Sequence, residues 1–237
     1  MITLYVECNS MYNEVIQRIQ NGGLKMQKVE RSQVVYEIWN AITHGVALVA
    51  SLGLVALLIM KSISNGLPTR DTVSLVVYGI TLLSLYLAST LFHCLAFTKA
   101  KRVFQILDHS NIFLLIAGTY TPYCMIFLTR RTGIIMLSAI WTMAIAGIVT
   151  HILSKGRFQK VETTIYVVMG WLCLLAGKTL YANLSPLGFW LLVAGGVTLT
   201  VGAIIYSFPK IPGLHLIWHF FVMAGTTMMF VSIYVNI

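Results

Sequence analysis

Six histidines, His44, His93, His109, His151, His215 and His219, are set in a chain that is otherwise mostly apolar. His215 and His219 stand four residues apart, so in a helix they share one face. That spacing lets two imidazoles bind one metal, as in the HExxH zinc helices. The glutamate of HExxH is missing here, which excludes a soluble-type zincin. Ser89 and His93 repeat the same four-residue relation. Three histidines plus a water are a common catalytic zinc set, and His93 with His215 and His219 would supply it. Asp108 is the only carboxylate well inside an apolar run. It could hold such a water or act as its general base. Each residue also has a plainer reading. A lone buried histidine bonds a neighbouring helix, Asp108 could be a helix N-cap, and Ser89 could be a packing residue. Their shared spacing and depth favour the metal site.

The elements that must position these residues are membrane spans. The chain is 58% hydrophobic and 10% charged, where a soluble domain carries about 25% charged residues. Its mean hydropathy is +0.84. There is too little charge to cover a water-facing surface. Disorder, a disulfide-stapled secreted fold and a coiled coil are excluded on the same ground. Spanning about 30 Å of hydrocarbon takes about 20 apolar residues. Seven such runs occur, at 38–60, 73–97, 105–128, 133–153, 164–182, 187–207 and 214–236. They are too long and too evenly apolar for barrel strands. The breaks between them are short, so one bundle over 34–237 is expected, after a short cytoplasmic tail at 1–33. At 1.5 Å per residue, His93 lies about 9 Å in from Lys99 and Asp108 about 9 Å in from Arg102. His219 lies at most about 13 Å from Lys210, less whatever the Pro209 and Pro212 turn takes up. Runs two, three and seven can therefore bring one carboxylate and three imidazoles to a common layer.

The net charge of +9 has to be placed before it is read. Arg18, Lys25, Lys28, Arg31, Lys99, Lys101, Arg102, Lys155, Arg157, Lys160 and Lys210 fall on one side, eleven in all. Lys61, Arg70, Arg130, Arg131 and Lys178, five in all, fall on the other. The imbalance predicts a cytoplasmic N-terminus, an outside C-terminus and all six histidines near the cytoplasmic helix ends. It reports topology, not nucleic-acid binding. Residues 1–33 lack the apolar core of a signal peptide, and Met26 is an alternative start. Cys8, Cys94, Cys124 and Cys173 form no CxxC pair and read as small buried hydrophobes. Ala194-Gly195-Gly196, with Thr198, Thr200 and Gly202, is a small-residue seam for close helix packing. Pro122 is expected to kink its helix. Glu37, Asn40 and His44 share one face of the first run and are expected to face the inner pocket, with helix packing as the alternative. The chain has no P-loop, Gly-x-Ser-x-Gly elbow or dinucleotide fingerprint.

Four motifs in order make the chain resemble the hemolysin III family, the bacterial branch of the progestin and adipoQ receptor superfamily. Glu37-Ile-Trp-Asn40-Ala-Ile-Thr43-His44 is similar to its ExxNxxTH opening, and Ser89-Thr-Leu-Phe-His93 to its SxxxH. Asp108-His109-Ser110, with Gly118-Thr119-Tyr120-Thr121-Pro122, is similar to its DHS…AGTYTP block. His215-Leu-Ile-Trp218-His219-Phe-Phe-Val is similar to its HxxWHxFV. The resemblance covers roughly 37–236. It implies seven helices with the N-terminus inside, and zinc held by His93, His215 and His219. It implies that Asp108 and Ser89 touch the metal's water or lie just behind the ligands. It also implies a cell-membrane protein whose partners are membrane lipids. Related superfamily members are thought to hydrolyse lipid amides such as ceramide, whereas the bacterial branch is named for lysis of red cells.

Three functions follow as expectations. The first is a zinc-dependent membrane hydrolase of a lipid amide or ester, with Asp108 as base and Ser89 orienting a ligand oxygen. The second is a pore-forming cytolysin, which needs a polar stripe that the apolar outer halves of the runs do not supply. The third is a sensor whose zinc is structural.

Overall fold

A computed structural model of the chain describes residues 31–154, 157–207 and 213–237. Cys8, Arg18, Gly22, Gly23, Lys25, Met26, Lys28, Lys155, Pro209, Lys210 and Pro212 lie outside the described residues, as does the tail up to residue 30. Tyr36–Ile237 form one compact unit.

All seven apolar runs are helical, and no strand occurs among the described residues. The first four are α1 (Arg31–Ser64), α2 (Thr69–Cys94), α3 (Lys101–Pro122) and α4 (Arg130–Ser154). The fifth run is split into α5 (Gln159–Trp171) and α6 (Gly177–Asn183), and α7 (Pro186–Tyr206) and α8 (Leu214–Tyr234) follow. Each of the seven spans is long and apolar enough to cross a bilayer. The 21 residues of α7 rise about 32 Å, one hydrocarbon thickness. The protein is a multi-pass membrane protein.

The helix ends follow local chemistry. Ser185 caps α7 by accepting the Gly188 N–H at 3.1 Å, and Pro186 occupies the first helical position, where no N–H is needed. Gly213, at φ 86°, takes the left-handed conformation from which α8 starts, two residues before His215.

Three details differ from the sequence reading. Asp108 is not an N-cap, because α3 begins at Lys101 and places it in the helix interior. After Pro122 the chain winds on as a π-helical turn, Tyr123–Phe127. The fifth run is interrupted by a 3-10 turn, Leu172–Ala176. The Tyr120 hydroxyl sits at that interruption, accepting the Cys173 N–H at 2.7 Å and lying 2.9 Å from both the Met169 and Gly170 carbonyls. A side chain inserted into the backbone ladder is a recognised cause of such a break. The cysteines also differ from expectation. Cys124 is buried and Cys173 half-buried, but Cys94 sits on the surface in the last turn of α2.

Packing centres on α3. Of its apolar stretch, continued through Phe127, 72% is buried, against 22% for α1. Close approach depends on glycine at two of its contacts. A Cβ on Gly118 would overlap Thr81 of α2, and one on Gly147 of α4 would overlap the Phe113 ring. The small-residue seam of α7 lies against α8, where a Cβ on Gly195 would stand 3.1 Å from the Gly225 carbonyl oxygen.

Candidate metal centre

His93 on α2 and His215 and His219 on α8 meet at one point. His215 Nε2 is 3.1 Å from His93 Nε2 and 3.2 Å from His219 Nε2. His93 and His219 are 4% and 1% exposed, and His215 is half-buried.

The opposite ring nitrogens decide what these edges can be. His93 Nδ1–H donates to Glu37 Oε2 at 2.6 Å. The Thr43 hydroxyl donates to the Asn40 carbonyl at 2.9 Å, so its oxygen accepts from His219 Nδ1–H at 3.1 Å. In the neutral rings, both protons sit on Nδ1, and both Nε2 atoms turn bare lone pairs toward His215. A proton on His215 Nε2 could satisfy only one of them. A cation satisfies all three. Four-coordinate zinc with Zn–N of about 2.05 Å and tetrahedral angles sets its nitrogens about 3.3 Å apart, within a few tenths of an ångström of the observed separations. The three nitrogens therefore fit a metal ion by both donor chemistry and spacing.

Of the three first-helix residues singled out from the sequence, Glu37 and His44 contact ligand histidines through their side chains, and Asn40 takes part through its backbone carbonyl. Glu37 holds His93, and the Asn40 carbonyl anchors Thr43. His44 stacks on His219, with ring centroids 3.6 Å apart and planes 8° from parallel. Both His44 nitrogens and Asn40 Oδ1 are buried without a hydrogen-bond partner among the described residues.

Beside the imidazoles lies a cavity of about 20 Å³, the size of one water. Ser89, Asp108, His44, His215 and His219 border it. Asp108 faces the Ser89 hydroxyl. Leu85, Ile112, Trp218 and Val222 border this cavity and also a second one of about 120 Å³. The larger space is lined mainly by apolar side chains of α3, α5, α7 and α8, such as Ile116, Trp171, Leu199 and Met229.

A second polar cluster lies next to Asp108. His151 Nδ1 and Glu162 Oε2 pair at 2.9 Å, and both residues are almost fully buried. The His151 ring stacks on that of His109 at 5.3 Å. Sequence reasoning gave Glu162 and Tyr206 no role, because neither carries a helical-spacing signal toward the histidines. Thr43 was visible only as part of a motif.

Residues 32–230 match the family model described as Haemolysin-III related. The chain is 46% identical over 194 residues to Hemolysin-3 of Bacillus cereus, covering 82% of this chain and 88% of that protein. It is 44% identical over 194 residues to the Hemolysin-3 homolog of Bacillus subtilis (strain 168), covering 82% and 91%. A more distant likeness, 27% over 164 residues, links it to the human Monocyte to macrophage differentiation factor, covering 67% and 68%. With seven apolar spans, four motifs in order and these relatives, the chain belongs to the haemolysin-III related family of multi-pass cell-membrane proteins.

Proposed function

We propose that this protein is a zinc-dependent hydrolase acting on an acyl amide or ester of a membrane lipid. One observation supports the reading: a water-sized cavity bordered by Asp108, Ser89, His215 and His219 lies next to an apolar space, sharing Leu85, Ile112, Trp218 and Val222 with it. His93, His215 and His219 would hold the zinc, with Glu37 and Thr43 fixing two of the rings. Bound there, zinc supplies Lewis acidity that polarises a carbonyl and acidifies water. Asp108 takes the proton from the attacking water as its oxygen bonds to the acyl carbon. It returns that proton to the leaving nitrogen or oxygen as the acyl bond breaks. Ser89 orients the ligand oxygen, and the apolar cavity takes the acyl chain.

The charge imbalance supports a cytoplasmic N-terminus, which sets this chemistry near the cytoplasmic face. Reporter fusions to the two termini test that orientation. For the activity, purified zinc-loaded protein is incubated with acyl-lipid amides and esters beside Asp108→Asn. Turnover by the wild type that falls at least 100-fold in the variant is expected. No turnover of any acyl lipid would end the reading.

The name of the Bacillus cereus relative favours a second reading, a cytolysin. Red-cell lysis that survives His93→Ala with metal chelated would select it.

A further inference from the structure

His44 on α1 is 3% exposed, and neither of its ring nitrogens has a hydrogen-bond partner among the described residues. The His219 main chain approaches the ring without making a hydrogen bond. An imidazole buried this way forgoes hydrogen bonds that it would make in water. Its position is nonetheless closely defined. The Thr43 hydroxyl, one residue earlier, pairs with His219 Nδ1 at 3.1 Å and ties α1 to α8. The His44 ring stacks on that of His219, with centroids 3.6 Å apart and planes 8° from parallel. The Tyr86 ring meets it at 5.1 Å and 78°, and the Tyr86 hydroxyl is itself bonded to Thr226 at 2.7 Å. With Ser89, Asp108, His215 and His219, His44 borders the water-sized cavity.

Two plainer roles do not account for this residue. Imidazole lone pairs lie in the ring plane, so two stacked rings cannot both aim at one ion, and His44 is not a fourth metal ligand. An apolar ring would pack against His219 equally well and leave no polar atom buried and unpaired. The tautomers also set His44 apart. Those of His93 and His219 are fixed by Glu37 and Thr43, whereas no hydrogen bond fixes that of His44. The neutral ring can therefore present its N–H from either nitrogen.

We infer that His44 is a ligand-binding residue of the small cavity, whose ring N–H donates to the carbonyl oxygen of the bound acyl group. The inference rests on the lipid-acyl reading of this cavity. Around the cavity, the Ser89 hydroxyl is directed to Asp108, and the Nε2 atoms of His215 and His219 are turned to the metal position. His44 adds a donor with no competing partner. Its hydrogen bond strengthens as the carbonyl oxygen gains negative charge under attack.

The test uses methyl dodecyl ketone and its isostere in which a methylene group replaces the carbonyl oxygen. Binding of each labelled probe to the full chain in detergent is measured by equilibrium dialysis and corrected for partition into the detergent. The zinc-free protein is read first, since its preference owes nothing to the ion. The wild type is expected to prefer the ketone about 10-fold, the scale of one hydrogen bond to a buried unpaired donor. His44→Phe keeps a stacked ring without an N–H. It should cut the preference to about 2-fold or less, with isostere affinity and zinc content on reloading unchanged. His44→Gln loses the stack but carries an N–H, and should recover part of the preference. A purely structural ring gives the reverse order, with Phe keeping the preference and Gln losing it. That order, an indifferent wild type, or failure of both probes to bind overturns the inference. Neither probe can be hydrolysed. A wild type that turns over no acyl lipid yet prefers the ketone through His44 therefore ends the hydrolase reading alone. Lipid turnover by a wild type indifferent to the ketone ends only the role of His44.

Discussion

Glu37 on α1 accepts the His93 Nδ1 proton at 2.6 Å, although 56 residues separate them. This contact fixes the tautomer and ring orientation of one candidate ligand. Removing such a partner typically weakens metal binding by about 10–100-fold. Glu37→Ala should therefore lose zinc to a competing chelator at a correspondingly lower chelator concentration. Thr43→Val should do the same to a smaller extent, because its hydrogen bond to His219 is neutral. Unchanged affinity in Glu37→Ala would refute the supporting role.

The Gly118 contact with Thr81 makes a packing prediction. A methyl at position 118 overlaps the Thr81 side chain, and both residues are buried. Gly118→Ala should cost about 1–3 kcal/mol, the usual range for overpacking a filled core. Thermal unfolding in detergent measures it, and Thr81→Ala in the same background should restore part of the loss. A neutral Gly118→Ala would contradict the close α2–α3 approach.

Much of this arrangement was legible in the sequence, for definite reasons. Runs of about 20 apolar residues with polar breaks dictate spanning helices. The i, i+4 spacing of His215 and His219 puts them on one face whatever the rest of the fold does. Rise per residue then places His93 and Asp108 at a similar depth. Three kinds of feature escape such counting. Helix interruptions are one: the 3-10 turn at Leu172–Ala176 coincides with the Tyr120 hydroxyl, which comes from another helix. Helix starts are another, since polar Arg31, Ser32 and Gln33 extend α1 beyond its apolar stretch. The third is pairing across helices, as between Thr43 and His219 or His151 and Glu162, where no sequence spacing marks the partner.

The His151–Glu162 pair should be a stability element. Both side chains are at most 4% exposed. Removing one partner of a buried pair typically costs about 3–5 kcal/mol, because the other is left uncompensated. His151→Leu should lower the unfolding temperature sharply, and adding Glu162→Leu should recover part of it. Additive losses in the double variant would show that the two side chains are not coupled.

The apolar cavity predicts a chain-length effect. Gly196 lines it, and a Cβ there would be 3.9 Å from the Trp171 ring, an ordinary contact. Gly196→Val should therefore fold and project into the space proposed for the acyl chain. Binding of long-chain acyl lipids should weaken at least 10-fold while short-chain affinity and zinc content hold. Equal losses for both lengths would place the chain elsewhere.

The central claim is that His93, His215 and His219 together hold zinc. Elemental analysis of purified wild type beside His215→Ala/His219→Ala tests it most directly. The account predicts one zinc per chain in the wild type and none in the double variant, with the variant still helical by circular dichroism. Equal zinc in both proteins, or a wild type that binds none when zinc is supplied, would contradict it.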